Sequence, residues 1–270
     1  MNVVNFLAHL YTKGASHSAI NSARSALSAY LPSINGVTVG NHPDVCRLVK
    51  GVFESRPSLP KYTDTWDVNT VLRYLDGLGP VEKVSLKDLT LRTCMLLALV
   101  TGQRGHALHS LKTSDVRIRG STCTLTYSTV LKTTRQGSHT APIEIQKQVD
   151  NPNICPVQNV EEYLKKTKDL RGTDNKLLIS HVKPHGPIAK QTFARWIKEV
   201  LANSGIDTSI YSAHSTRAAS TSAAASTGIP IETILKAAGW TNAKTFTKFY
   251  KKLGNTSFSQ GILDGYLHGK

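Results

Sequence analysis

Apolar residues in the first 56 positions recur every three or four residues, which is the spacing of one helix face. Three such segments follow one another. The first ends at Gly14 and the second stops at Pro32. The third carries Val45, Leu48 and Val52 on one side. Short turns rich in Gly, Pro and Asn separate the segments, so the pattern predicts a compact bundle of small helices.

The periodicity stops between residues 56 and 67, where two prolines appear. This composition is typical of a linker. A short helix is predicted next, with Asp67 as its N-cap and Gly77 near its end. We place the domain boundary near residue 80, which divides the chain into domains of residues 1–80 and 81–270.

The second domain begins with a long apolar segment that predicts a buried helix between the N-cap candidate Ser85 and Gly102. A short second helix is predicted over residues 106–118. Residues 121–146 alternate between apolar and polar positions and are rich in β-branched side chains. That alternation predicts a β-hairpin with its turn at residues 135–138.

The rest of the chain returns mainly to the helical period. The predicted elements are a helix within 151–172, a short strand at 176–181, a helix within 186–206, an Ala/Ser-rich helix with His214 and Arg217, a helix at 231–238, a helix holding Tyr250 and a short terminal helix. The predicted fold class is therefore mostly α with a small β-hairpin or sheet, in two domains.

Charge changes this picture more than composition does. The chain has 33 Lys and Arg against 18 Asp and Glu, a net charge of +15, spread through apolar-patterned sequence rather than gathered in one run. Nucleic acid is the leading partner for so basic a chain, and a merely basic soluble protein is the alternative. The longest apolar stretch, around residues 95–100, is too short to span a bilayer, so no membrane partner is expected.

The cysteines and histidines argue against a metal site. The four cysteines form no closely spaced pair, and the ten histidines form no His-x-His or His-Glu-x-x-His pattern. The N-terminal segment shows neither a basic region nor a cleavage site, so no signal peptide is predicted. We expect reduced thiols in an intracellular compartment.

Six residues have side chains suited to holding a phosphodiester and attacking it: Arg104, Lys132, His214, Arg217, Trp240 and Tyr250. His214 and Arg217 are three residues apart, so on a helix they share one face. A guanidinium grips phosphate oxygens bidentately and stays charged at any working pH. Nearby cations favour the phenolate of Tyr250, which makes it a candidate nucleophile.

Lys132 lies near the predicted hairpin turn and is a candidate acid for the departing sugar oxygen. Lys112 and Lys147 lie near the same hairpin and are alternatives for that role. Each of the six candidates taken alone is typical of a core or surface residue. Their joint occurrence in this order is what carries the functional hypothesis.

That order resembles the tyrosine recombinase (phage integrase) family, whose pattern is Arg…Lys…His-x-x-Arg…His/Trp…Tyr. The matching segments are TGQRGHAL, VLKTT, AHSTRAAS, AAGW and KFYKK, and the resemblance covers roughly residues 1–270. SAINSARSALSAYL, TWDVNTVLRYL and AAGWTNAKTFTKFY are also similar to Crypton- and DIRS-like recombinases of eukaryotic mobile elements.

The resemblance implies a helical core-binding domain followed by a mixed α+β integrase-type catalytic domain, which together clamp double-stranded DNA. Tyr250 would attack the scissile phosphate and form a 3′-phosphotyrosine. Lys132 would act as the general acid. The phosphate would be held by Arg104, His214, Arg217 and Trp240.

The resemblance also implies chemistry without ATP, metal or cofactor. The segment after Tyr250 would dock on a neighbouring protomer, giving dimers or tetramers on DNA. The protein would integrate or excise a mobile element, in the nucleus if the host is eukaryotic. Two alternatives remain open: a type IB topoisomerase, and a recombinase descendant that binds DNA without cleaving it.

Overall fold

The computed structural model describes residues 3–57, 64–131, 134, 141–240 and 246. The chain divides into two compact units, Met1–Lys61 and Tyr62–Lys270. In the first unit the described helices are α1 (Val3–Thr12), α2 (His17–Tyr30) and α3 (Pro43–Ser55). In the second they are α4 (Val68–Gly77), α5 (Leu86–Thr101), α6 (Gly105–Ser110), α7 (Pro156–Thr167), α8 (Lys190–Asn203), α9 (Ser215–Ser226) and α10 (Ile231–Ala238), together with the strands β1 (Val116–Arg119), β2 (Thr122–Leu125) and β3 (Ile143–Gln146).

The first unit is the small helical bundle that the apolar period predicts. Its core contains Leu7, Ile20 and Val45, one from each helix, and all three are almost fully buried. Arg56 follows α3 and donates from Nη1 to the carbonyl of Ala15 at 2.7 Å. This contact holds the end of α3 against the turn between α1 and α2.

The structure divides the chain between Lys61 and Tyr62, earlier than the boundary predicted near residue 80. The physical reason is the packing of α4. Val71 and Leu75 are fully buried and belong to the core of the second unit. The predicted helix after Asp67 does form, but its apolar face makes it part of the second unit.

The core of the second unit is built around α5. This helix begins at Ser85, whose Oγ accepts from the backbone N–H of Asp88, and ends at Gly102 with φ +56°. Nearly every residue between those ends is buried, because α7, α8 and α9 all pack on it. A helix buried on nearly every side needs neighbouring elements on nearly every side. The ends of α5 lie where the sequence predicts them.

The sheet is antiparallel in the order β1-β2-β3. β2 and β3 pair with Leu125 opposite Ile143, which is the hairpin predicted from the alternation. The predicted turn at 135–138 lies outside the described residues. The prediction of a helix over 106–118 was wrong at its end, since β1 occupies its last residues and pairs with β2.

The strand predicted at 176–181 does not form within the part of the chain that the structure describes. Only isolated bridges occur there, between Lys112 and Lys176 and between Ile179 and Pro187. Leu177 and Leu178 are nevertheless buried, so the apolar run reports burial rather than a strand. No helix of the described residues is long and apolar enough to cross a membrane.

Candidate active site

The turn after α5 positions Arg104. Gly102 adopts φ +56°, a conformation that side chains rarely take, and a Cβ there would lie 3.2 Å from the Thr221 methyl group. The chain therefore turns sharply against α9. Arg104 follows two residues later, half-buried, as the N-cap of α6.

His214 stands at the start of α9, and Arg217 lies in its first turn. The backbone of His214 is already helical, with φ −70° and ψ −24°. Trp66, which lies just before α4, donates from Nε1 to Ser215 Oγ at 2.9 Å and so holds the start of α9. Ser215 donates in turn to the carbonyl of Ser212 at 2.7 Å. His214 is thus the N-cap of α9, and Arg217 follows three residues later inside the helix.

Arg104 and His214 line the same cavity, although 110 positions separate them in the chain. The cavity measures about 660 Å³. Its other described walls are Gln103, Gly105, His106, Ala107, Leu131, Lys190, Phe193, Ala194 and Ala213. A cavity with a guanidinium, two imidazoles and an ammonium around it suits an anionic ligand.

The pKa of His214 is lowered from its ordinary value. Burial is the largest cause, and the positive charges of Arg217 and Arg104 act in the same direction. The neutral imidazole is therefore favoured at neutral pH. An entering phosphate would act in the opposite direction, because a nearby negative charge raises the pKa of a histidine.

Arg217 lies behind the cavity rather than on its described wall. It is 2% exposed and donates from Nη1 to the carbonyl of Gly102 and from Nη2 to the carbonyl of Ala238, each at 2.8 Å. These carbonyls lie at the ends of α5 and α10, where helix dipoles favour a cation. In this structure the guanidinium therefore joins the ends of two helices.

Trp240 packs on that guanidinium. Its ring centroid lies 4.0 Å from Cζ of Arg217 and 5.6 Å from the ring of Phe246. The indole is 8% exposed and belongs to a small apolar cluster with Ile234 of α10. The structure thus brings Arg217 and Trp240 together through a cation–π contact.

Lys132 and Tyr250 lie outside the described residues, so their proposed roles stay predictions. Leu131, the neighbour of Lys132, lines the cavity. The two alternative lysines are not among its described walls: Lys112 begins the turn before β1, and Lys147 lies 3.9 Å from Glu161.

Two features of the cavity escape the sequence analysis. Gln103 lines it directly beside Arg104, and Lys190 lines it from the start of α8. No sequence signal marks Gln103, whose neighbours only become clear in three dimensions. For Lys190 a signal exists, because α8 carries three exposed basic residues: Lys190, Arg195 and Lys198.

Comparison with known proteins gives one family. Residues 67–255 match the model of the phage integrase family. A comparison with curated proteins found no match. The matched range contains all six candidate residues and begins at the predicted N-cap of α4.

Solved structures of similar fold include DNA complexes of three different proteins. XerH site-specific recombinase bound to palindromic difH substrate, in a post-cleavage complex, has a TM-score of 0.61 at 13% identity, covering 98% of this chain and 71% of that chain. Tn1549 transposon integrase in complex with transposon right end DNA has a TM-score of 0.61 at 15% identity, covering 99% of this chain and 84% of that chain. A lambda integrase tetramer bound to a Holliday junction has a TM-score of 0.53 at 18% identity, covering 95% of this chain and 65% of that chain. The predicted fold class is confirmed: mostly helical with a small antiparallel sheet.

Proposed function

Because the chain belongs to the phage integrase family, we propose that it is a site-specific DNA recombinase that works through a 3′-phosphotyrosine intermediate. The oxygen of Tyr250 attacks the scissile phosphorus, and the bond from phosphorus to the 5′-oxygen breaks. The tyrosine proton passes to solvent, and the ammonium group of Lys132 gives a proton to the departing 5′-oxygen. Rejoining reverses these steps with a 5′-hydroxyl from another strand.

The observation that carries the proposal is the meeting of Arg104 and His214 at one cavity. A phosphate under attack gathers negative charge on its non-bridging oxygens, and fixed cationic donors stabilise that charge. Arg104 supplies a permanent positive charge. His214, whose lowered pKa favours the neutral form, can donate a hydrogen bond or exchange a proton.

Arg217 and Trp240 support the same phosphate from behind His214. The charge of Arg217 reaches His214, since it contributes to lowering the pKa of that imidazole. Trp240 covers one face of the guanidinium at 4.0 Å and restricts where it can move. We therefore assign Arg217 to charge stabilisation and Trp240 to holding Arg217 in place.

Double-stranded DNA is the proposed partner, and the exposed basic residues of α8 are the proposed contacts beside the cavity. Lys190 is one of them and also lines the cavity, so DNA lying along α8 would place a phosphate near Arg104. The lambda integrase neighbour is a tetramer on DNA, which supports self-association of this chain on DNA. The Tn1549 neighbour is a transposon integrase, which supports integration or excision of a mobile element. If that element is Crypton- or DIRS-like, the protein would act in a eukaryotic nucleus.

The test is a covalent-adduct assay on a nicked suicide half-site taken from the ends of the source element. The wild-type protein should become covalently joined to the DNA. Tyr250→Phe should form no adduct but bind the same DNA with nearly unchanged affinity, because the lost hydroxyl carries no net charge.

Tyr30→Phe serves as the matched control. Tyr30 is 89% exposed and lies on α2 in the first unit, so its loss should leave adduct formation intact. An adduct that persists in Tyr250→Phe would refute Tyr250 as nucleophile. Tight DNA binding with no adduct from the wild-type protein would favour a descendant that no longer cleaves, and site-independent relaxation of supercoiled DNA by a monomer would favour a type IB topoisomerase.

A further inference from the structure

The C-terminal end of α10 uses side chains from elsewhere in the second unit. The last four carbonyls of any α-helix lack partners within the helix. In α10, the carbonyls of Leu235 and Lys236 accept from the N–H groups that follow the helix. The carbonyl of Ala238 accepts from Arg217 at 2.8 Å, and the carbonyl of Ala237 accepts from Gln103 Nε2 at 2.6 Å.

The Gln103 contact crosses 134 positions of the chain. Gln103 is 7% exposed, so its amide is held within the protein rather than by water. Its side chain also lies close beside Gly239, where an added Cβ would be 3.6 Å from Nε2. One face of Gln103 lines the cavity, and the next residue is Arg104.

We infer that Gln103 is a positioning residue that fixes the C-terminal end of α10, and with it Gly239, relative to Arg104. The inference rests on the proposed function, because it assumes that Arg104 and Tyr250 act on one phosphate. Gln103 does not need to touch DNA. It acts through the end of α10, which leads directly to Trp240 and, ten residues later, to Tyr250.

A side-chain hydrogen bond at this place affects the reaction rate more than it affects the free energy of unfolding, because it sets a position. Arg217 also binds the end of α10, but its other contact is to the backbone of Gly102. Gln103 adds a second side-chain attachment to the end of α10. Two attachments fix the orientation of the helix end, whereas a single one would let it rotate about that contact. A displacement of about 1 Å between reacting groups can lower a rate on the order of a hundredfold.

The experiment compares Gln103→Met with the wild-type protein in single-turnover adduct formation at saturating half-site DNA. Methionine fills similar space but has no N–H donor. We expect the rate to fall on the order of tenfold to a hundredfold, while the Kd for the same DNA and the folded fraction at the assay temperature stay unchanged. If Gln103 only stabilised the fold, its replacement would lower Tm but leave the rate of adduct formation by the folded protein unchanged.

Gln158→Leu is the matched control. Gln158 also donates through its amide, to Glu82 at 3.1 Å, but it lies on α7 away from the cavity wall. Its loss should leave the adduct rate unchanged. If Gln103→Met is unfolded at the assay temperature, Gln103→Leu also removes the side-chain donor without adding a charge and is subject to the same comparison.

A second readout works without catalysis. The chain has three tryptophans, so protein labelled with 5-fluorotryptophan gives three fluorine resonances, and Trp240→Phe identifies the one at the end of α10. Gln103→Met should shift the Trp240 resonance, and Gln158→Leu should not.

An unshifted Trp240 resonance, or an unchanged adduct rate in Gln103→Met, would overturn the inference. Absence of any adduct from the wild-type protein would instead count against the proposed function. In that case the fluorine spectrum still decides whether Gln103 positions the end of α10.

Discussion

Arg92 shows how much one buried side chain can organise. It is fully buried in α5 and donates to Asn159 Oδ1 at 2.9 Å and to the carbonyls of Leu75 and Gly79 at 3.2 and 2.8 Å. Burial lowers the pKa of this guanidinium, but an arginine side chain remains charged in proteins. Arg92 therefore ties the end of α4 to α7 through α5, in addition to the apolar packing of Val71 and Leu75.

Arg92→Met should lower the free energy of unfolding by about 3 kcal/mol, because three buried acceptors lose a charged donor. Urea unfolding of the full chain measures the change. Arg195→Met is the control, since Arg195 lies on the exposed face of α8 and its loss should leave the midpoint unchanged. Equal stability of Arg92→Met and wild type would show that Arg92 is not the link between α4 and α7.

At the scale of elements, the first unit depends on a close approach between α2 and the turn that precedes α3. The N–H of Gly40 donates to Ser28 Oγ at 3.0 Å, and its carbonyl accepts from Arg24 Nη1 at 3.1 Å. A Cβ at Gly40 would lie 2.8 Å from both Cβ and Oγ of Ser28. Only glycine fits between these two elements without moving one of them.

Gly40→Ala should destabilise the first unit by about 1–3 kcal/mol through this overlap. Gly51→Ala is the matched control, because Gly51 lies inside α3 with open space where a Cβ would be. That change should stabilise the helix by roughly 0.5–1 kcal/mol. Native-state hydrogen exchange of the α1–α3 amides reports both changes locally. The same sign for both variants would contradict the steric argument.

At the scale of the whole molecule, the net charge of +15 is the dominant property. On the described surface, part of that charge is concentrated on α8 beside the cavity, at Lys190, Arg195 and Lys198. Contacts between such side chains and DNA phosphates release bound counterions, so affinity falls as salt rises. Under the proposed function, DNA held by these side chains would lie beside Arg104, since Lys190 lines the same cavity.

Replacing Lys190 by Ala should reduce the slope of log K against log salt by about one, because one phosphate contact is lost. Fluorescence anisotropy with labelled duplex DNA over a salt series measures the slope. Lys165→Ala is the control, since Lys165 lies on α7 and faces Glu162 at 3.4 Å. If the control lowers the slope as much as Lys190→Ala does, the contact surface does not lie on α8.

The local elements were largely predictable. The predictions that failed concern residues whose structure depends on distant parts of the chain. The period of apolar residues and the caps at Ser85 and Gly102 are local signals, and α5 forms where they indicate. β1 was missed because a four-residue strand depends on its pairing with β2, which no local pattern reveals. The strand predicted at 176–181 was wrong because a buried apolar run need not be extended in a ladder.

The amino-acid sequence by itself determined the helical period, the charge and the order of the candidate residues, because each is a property of neighbouring positions or of composition. Only the tertiary structure decided that Arg104 and His214 share a cavity, that Arg217 binds two helix ends, and that Gln103 reaches α10. The hydrogen bonds among these contacts join residues 21 to 134 positions apart. They depend on how α5, α9 and α10 pack together, which sets where each side chain finds its partner.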